Sequence, residues 1–108
     1  MLDLSKVDFE ESAEYDEVTS HYFTYNSTDL KALPYERGER LASAEHYEAE
    51  YGKLFCITLC LNVYEDGTKT LCASPTCELE DSLSDIEWVS LDVDEETIKG
   101  LLKIAGEM

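Results

Sequence analysis

Apolar residues recur along this chain with two different periods. From Leu54 to Tyr64 they alternate, with Phe55, Ile57, Leu59, Leu61 and Val63 on one face and Cys56, Thr58, Cys60, Asn62 and Tyr64 on the other. Period two predicts a half-buried strand. Glu65-Asp66-Gly67 then reads as a turn, with Gly67 suited to the left-handed position of a three-residue loop, and a returning strand begins at Thr68. Burial chooses the register of this 54–74 hairpin. A two-residue loop sets Leu61 against Cys72 and mixes polar and apolar residues on both faces. A three-residue loop sets Tyr64 against Thr68, Leu61 against Leu71 and Leu59 against Ala73. It leaves Asn62 with Thr70 and Thr58 with Ser74 on the other face, so it is the register expected.

The second period is helical. Asp94 fits an N-cap, Val93 and Ile98 a hydrophobic staple, and Ile98, Leu101, Leu102 and Ala105 a buried stripe. Glu95 and Glu96 suit the positive end of the helix dipole and Lys99 and Lys103 the negative end, and Gly106 marks the stop. A helix over 94–105 follows. Between Pro34 and Gly52 two patterns compete. Leu41, Ala44, Tyr47 and Tyr51 would share a helix face, whereas Tyr47, Ala49 and Tyr51 also alternate with His46, Glu48 and Glu50 as a strand would. The Ala and Glu content favours a helix over 35–51, although Gly38 weakens its first part. Residues 17–25 and 86–91 are rich in β-branched and aromatic residues and read as strands. Residues 1–16 read as a mobile arm or a short surface helix. The order β-α-β-β-β-α predicts one small α+β domain over 1–108, an antiparallel sheet with helices on one face.

All four cysteines lie between residues 56 and 77, which raises the question of a metal or redox site. The expected register opposes Cys60 to Cys72 with Cα atoms about 5.5 Å apart, within reach of a disulfide. Cys56 and Cys60 are about 13 Å apart along a strand, too far for two thiolates each about 2.3 Å from one zinc. The spacings lack a C-x2-C knuckle. The start of the chain is acidic where a secretory signal would be basic and then apolar, and no apolar run approaches a membrane span. A cytoplasmic location is expected, where thiols stay reduced. No cofactor or metal site is assigned.

Other chemistry is as sparse. His21 and His46 fall in separate elements and read as ordinary surface or edge residues. No phosphate loop, H-E-x-x-H pair or G-x-S-x-G elbow is present. The stretch from Asp92 resembles a calcium loop only at its start, since Thr97 stands where Gly is needed and Lys103 where Glu is needed. No catalytic residue is assigned, and the chain is not read as an enzyme.

Charge changes the picture. The 108 residues carry 25 Asp and Glu against 8 Lys and Arg, a formal charge of −17, and the magnitude is well beyond the ~2–8 that solubility asks of a small domain. Two stretches concentrate it. Asp8, Glu10, Glu11, Glu14, Asp16 and Glu17 form the first. Glu78, Glu80, Asp81, Asp85, Glu87, Asp92, Asp94, Glu95 and Glu96 form the second, with no basic residue among them. Such a surface repels bare nucleic acid and anionic lipid and attracts a basic protein.

Nucleic-acid-binding proteins hold phosphates with Arg and Lys, and carboxylates at similar spacing offer those cations a substitute. The expectation is therefore an acidic inhibitor of a nucleic-acid-binding protein that acts by DNA or phosphate mimicry. In size, charge and want of catalytic motifs the chain resembles the small acidic anti-defence inhibitors made by phages and mobile elements, which would place it in a bacterial host cell. That likeness carries no residue-level sites. The alternative is a non-mimic interaction module such as an immunity protein, an antitoxin or an accessory subunit.

Overall fold

The computed structural model describes residues 2–79 and 87–107. Among them five strands form one antiparallel sheet: β1 (Val7–Glu14), β2 (Val18–Tyr25), β3 (Leu54–Tyr64), β4 (Lys69–Cys77) and β5 (Val89–Leu91). They lie side by side in chain order. Helix α1 (Ala44–Tyr51) falls between β2 and β3, and α2 (Glu95–Ile104) follows β5. This is the α+β class the sequence predicts, with one more strand than expected.

The β3–β4 hairpin has the register that burial selects, with Leu61 opposite Leu71, Leu59 opposite Ala73 and Cys60 opposite Cys72. Gly67 sits at φ 92°, and the Tyr64 N–H donates to the Thr68 carbonyl at 2.8 Å, closing the three-residue loop. One expectation fails at the strand's start. A bulge between Leu54 and Cys56 shifts the pleat by one residue. Leu54 therefore enters the core, and Phe55 is turned to solvent at 53% exposure. An inserted residue reverses the alternation beyond it.

The inner face of the sheet is the core. Ile57, Leu59 and Leu61 are fully buried beside Phe23, Ala73 and Leu71. Burying each large side chain contributes about 1.5–3 kcal/mol. Leu101 of α2 and Tyr47 of α1 join the same cluster, and α1 packs against β3 and β4. Both ends of α2 are as expected: Asp94 caps its start by accepting from the Thr97 N–H at 2.9 Å, and Gly106 follows its end at φ 81°.

Residues 7–14 are neither a mobile arm nor a surface helix. They are strand β1, joined to β2 by a tight turn in which the Tyr15 N–H donates to the Val18 carbonyl at 2.8 Å. Only Val7 of this strand is buried, and a bulge at Glu10 breaks its alternation. Pairing with β2 holds the strand, while its row of carboxylates and its bulge blunt an edge open to further strands.

The helix expected over 35–51 is shorter than that. Ser43 caps α1, so helix replaces the strand alternative only from Ala44. The segment before it has another use. Tyr35 bridges Leu91, the Glu36 N–H donates to the Ser90 carbonyl at 3.0 Å, and the Asp92 N–H donates to the Pro34 carbonyl at 2.8 Å. Residues 34–36 thus cover the free edge of β5, and Gly38, at φ 87°, turns the chain away. The strand expected over 86–91 is confined to Val89–Leu91 within the described residues.

Candidate functional site

The first acidic stretch lies on the β1 edge and the β1–β2 turn. Asp8, Glu10, Glu11, Glu14, Asp16 and Glu17 are all exposed. The fold adds two carboxylates that sequence order had set apart. The Glu65 N–H donates to the Glu17 carbonyl at 3.0 Å, which brings the β3–β4 turn, with Glu65 and Asp66, beside the β1–β2 turn. Asp8 accepts from Asn26 Nδ2 at 2.7 Å, and Glu10 accepts from Thr24 Oγ1. Glu11, Glu14, Asp16 and Glu17 make no side-chain hydrogen bond among the described residues. The one ion-pair contact among the described residues is His21 to Glu107 at 3.9 Å, so no Lys or Arg there pairs with these carboxylates; Lys69 Nζ stands at the β3–β4 turn but donates to the Gly67 carbonyl at 3.2 Å. Exposed aromatic rings interrupt it: Tyr15 at 59%, Phe9 at 40% and Tyr64 at 39%.

The second stretch is used differently. Glu87 accepts from the hydroxyl of the buried Tyr47 at 2.9 Å, and that hydroxyl also accepts from the Ala42 N–H at 2.9 Å. Burial, with the Glu87 carboxylate adding to it, pushes the Tyr47 phenol up to about 12. Glu78 accepts from the Lys53 N–H at 3.4 Å, beside the α1–β3 turn. Asp94 holds the α2 cap, and its side-chain bonds to Thr97 keep its carboxyl below the ordinary value. Glu95 and Glu96 occupy the first turn of α2. Asp92 is exposed. Glu80, Asp81 and Asp85 lie outside the described residues.

Strand order decides how the two stretches relate. Glu87 and Asp92 flank β5, the strand farthest from β1. At about 4.8 Å per strand the two edges stand about 19 Å apart. The described carboxylates of the two stretches therefore do not merge at one edge.

Between the edges lies the outer face of the sheet, where a groove of about 490 Å³ opens. Thr58, Cys60, Asn62 and Cys72 make its floor, while Glu10, Glu11, Tyr15, Tyr22 and Trp88 stand around it. The floor is polar but uncharged. Ser20 Oγ donates to Asn62 Oδ1 at 2.7 Å, the Cys60 thiol points at the same oxygen at 3.4 Å, and the Thr58 and Thr76 hydroxyls are 2.6 Å apart. Burial raises the pKa of the Cys60 and Cys72 thiols, and Glu39 and Glu36 push Cys72 in the same direction. Both stay protonated near neutrality, which argues against nucleophilic use. Burial also lifts the Tyr22 phenol to about 12, with a contact to Tyr15 adding to it.

His21 is not the surface residue its sequence context suggests. It is buried on the inner face, with Nδ1 2.6 Å from Ser12 Oγ. Its Nε2 stands 3.9 Å from Glu107, beyond hydrogen-bond reach, so no Ser-His-Glu relay is formed. His46 is exposed on α1, edge-on to Tyr47. Among the described residues no His, Cys, Asp and Glu side chains gather as a metal site, and no helix is long and apolar enough to cross a membrane.

The sequence concealed two parts of this site. Glu65 and Asp66 belong with the first stretch only because β2 pairs with β3. Trp88 and Tyr22 share a groove only because the strands lie in chain order. Comparison with protein-family models, curated proteins and solved structures finds no match to this chain.

Proposed function

We propose that this protein is an acidic inhibitor that occupies the nucleic-acid site of a basic, nucleic-acid-binding protein. The observation that carries this reading is the carboxylate surface of β1 and its adjoining turns, with which no described Lys or Arg forms an ion pair. Eight carboxylates belong to it: Asp8, Glu10, Glu11, Glu14, Asp16, Glu17, Glu65 and Asp66.

Magnitudes divide the work between charge and aromatic rings. An exposed ion pair contributes about 0.2–1 kcal/mol and is weakened by salt. A buried aromatic anchor contributes about 2 kcal/mol or more at an interface. The carboxylates then supply attraction, encounter rate and competition with phosphate, while Tyr15, Tyr64 and Phe9 supply lasting affinity. In the second stretch Glu78, Glu87 and Asp94 already hold the fold, which leaves Asp92, Glu95 and Glu96, among the described residues, to supply general negative potential. In this reading the protein works in the cytoplasm, and a phage or mobile element would use it against a host nuclease or other defence enzyme.

The test is capture of partners from nuclease-treated bacterial lysate on immobilised protein at low salt. The retained proteins are then eluted in parallel by salt and by duplex DNA. Inhibition by mimicry predicts nucleic-acid-binding proteins displaced by both, with affinity falling at least about tenfold between about 50 and about 200 mM salt. The outer-face groove favours a second reading, a dedicated interaction module with one partner. That reading predicts a single partner that resists salt and that DNA fails to displace.

A further inference from the structure

We propose that the outer-face groove seats an arginine side chain presented by the partner's basic segment. This deepens the inhibitor reading and rests on it for the identity of the occupant's source.

Three observations select the ligand. First, the charged groups at the groove, Glu10 and Glu11, are both negative, and no basic side chain lines it. An anionic ligand would be repelled there. Second, the floor hydroxyls and the Asn62 carboxamide already bond among themselves. Asn62 Oδ1 takes the Ser20 hydroxyl at 2.7 Å, and Asn62 Nδ2 reaches Thr70 Oγ1 at 3.4 Å. The floor offers shape and modest polarity rather than unmet donors. Third, the uncharged walls are Tyr15, Tyr22 and Trp88, whose ring faces attract cations.

A planar guanidinium suits aromatic walls and carboxylate rims together. It stacks on rings and bonds carboxylates in forked pairs, which a compact ammonium does not do. The size agrees. The groove, at about 490 Å³, is within the ~300–1,000 Å³ range of ligand sites and holds one long side chain with its flanking backbone. The neutral thiols of Cys60 and Cys72 beneath it leave the rim carboxylates to set its potential.

Trp88 is the sole tryptophan of the chain, so its fluorescence reports this groove. The probe is the peptide acetyl-Gly-Gly-Arg-Gly-Gly-amide, titrated at low salt to about 20 mM to reach the weak range expected of a short segment. Its control carries citrulline, the neutral analogue, in place of arginine. The expected result is a saturable change in Trp88 emission that weakens at least about tenfold with citrulline and about fivefold in the Glu10→Gln, Glu11→Gln double variant. Backbone amide shifts at Tyr22 and Asn62 should follow the same curve.

Lack of a saturable change overturns the proposal. So does equal binding of the citrulline peptide, or unchanged binding in the double variant. The two levels separate cleanly. If DNA-displaceable partners are captured but the peptide leaves Trp88 unmoved, the groove proposal falls and the inhibitor reading stands. If the peptide binds while DNA displaces no captured partner, the inhibitor reading falls and the arginine site stands.

Discussion

The two acidic stretches look alike in sequence and differ in the fold. On the β1 side, Glu11, Glu14, Asp16 and Glu17 make no side-chain hydrogen bond among the described residues, and β1, which carries the first two, buries only Val7. On the β5 side, Glu78, Glu87 and Asp94 each accept a hydrogen bond that fixes a turn, a buried tyrosine or a helix start. Charge density alone therefore says little about use. A carboxylate bonded to its own fold is largely accounted for by stability. One held in the open, without an ion-pair partner, lowers stability by repulsion and is available to a partner.

This contrast can be broken by experiment, and the largest effect should be on binding. Reversing Glu14, Asp16 and Glu17 to Lys should weaken capture of the basic partner about 100-fold or more, because attraction becomes repulsion. Reversing Asp92, Glu95 and Glu96 should change it by no more than about threefold, the residue of long-range potential. Competition binding on both triple variants checks this. Equal losses would dissolve the distinction between the two stretches.

Stability should show the opposite order. Tyr47→Phe removes the hydroxyl shared by Glu87 and the Ala42 N–H, and should cost about 1–2 kcal/mol in urea unfolding while leaving partner binding intact. Asp94→Ala removes the α2 cap and should lower the melting temperature by roughly 5 °C. Because the folded Asp94 carboxyl titrates below its ordinary 3.8, its contribution is present above that value and is lost as pH falls through the folded value. The variant and the wild type should therefore converge in melting temperature at strongly acid pH. Glu14→Gln should move the melting temperature by no more than about 2 °C, and upward, since it relieves repulsion.

Tyr47 gives a further mark of the β5 side. Its phenol titrates at about 12 in the folded chain against an ordinary 10.0. The protonated form is favoured on folding, so this contribution is complete below pH 10 and is lost as pH rises from about 10 towards about 12. Tyr47→Phe should flatten the alkaline loss of stability, as read by melting temperature across that window. An unchanged alkaline slope would place the sensitivity elsewhere, with Tyr22 the next candidate.

The elements that sequence foresaw are those whose local chemistry agrees with their packing. Alternation from Ile57 to Leu61 and the Glu65-Asp66-Gly67 turn point to the same hairpin and register. Asp94, Ile98 and Gly106 do the same for α2. The failures occur where local pattern and fold diverge. β1 has acidic residues on both faces and a bulge at Glu10, so no period survives to be read. Phe55 faces solvent because a bulge changes the pleat next to it. Residues 34–36 lie beyond local pattern, since their role comes from the exposed edge of β5. The separation of the two acidic stretches follows from strand order, which no single segment encodes. The first stretch was legible as a list of residues, but its joining with Glu65 and Asp66 and the groove beside Trp88 were not.

The most direct test of the account asks whether the captured partner can hold nucleic acid and this protein together. The partner is saturated with labelled duplex DNA at low salt, and the protein is titrated in while bound DNA and complex size are followed. The account predicts mutually exclusive binding: DNA leaves in proportion to the protein added, and the Glu14, Asp16 and Glu17 to Lys variant releases almost none. A stable ternary complex, with DNA retained while the protein binds, would contradict it.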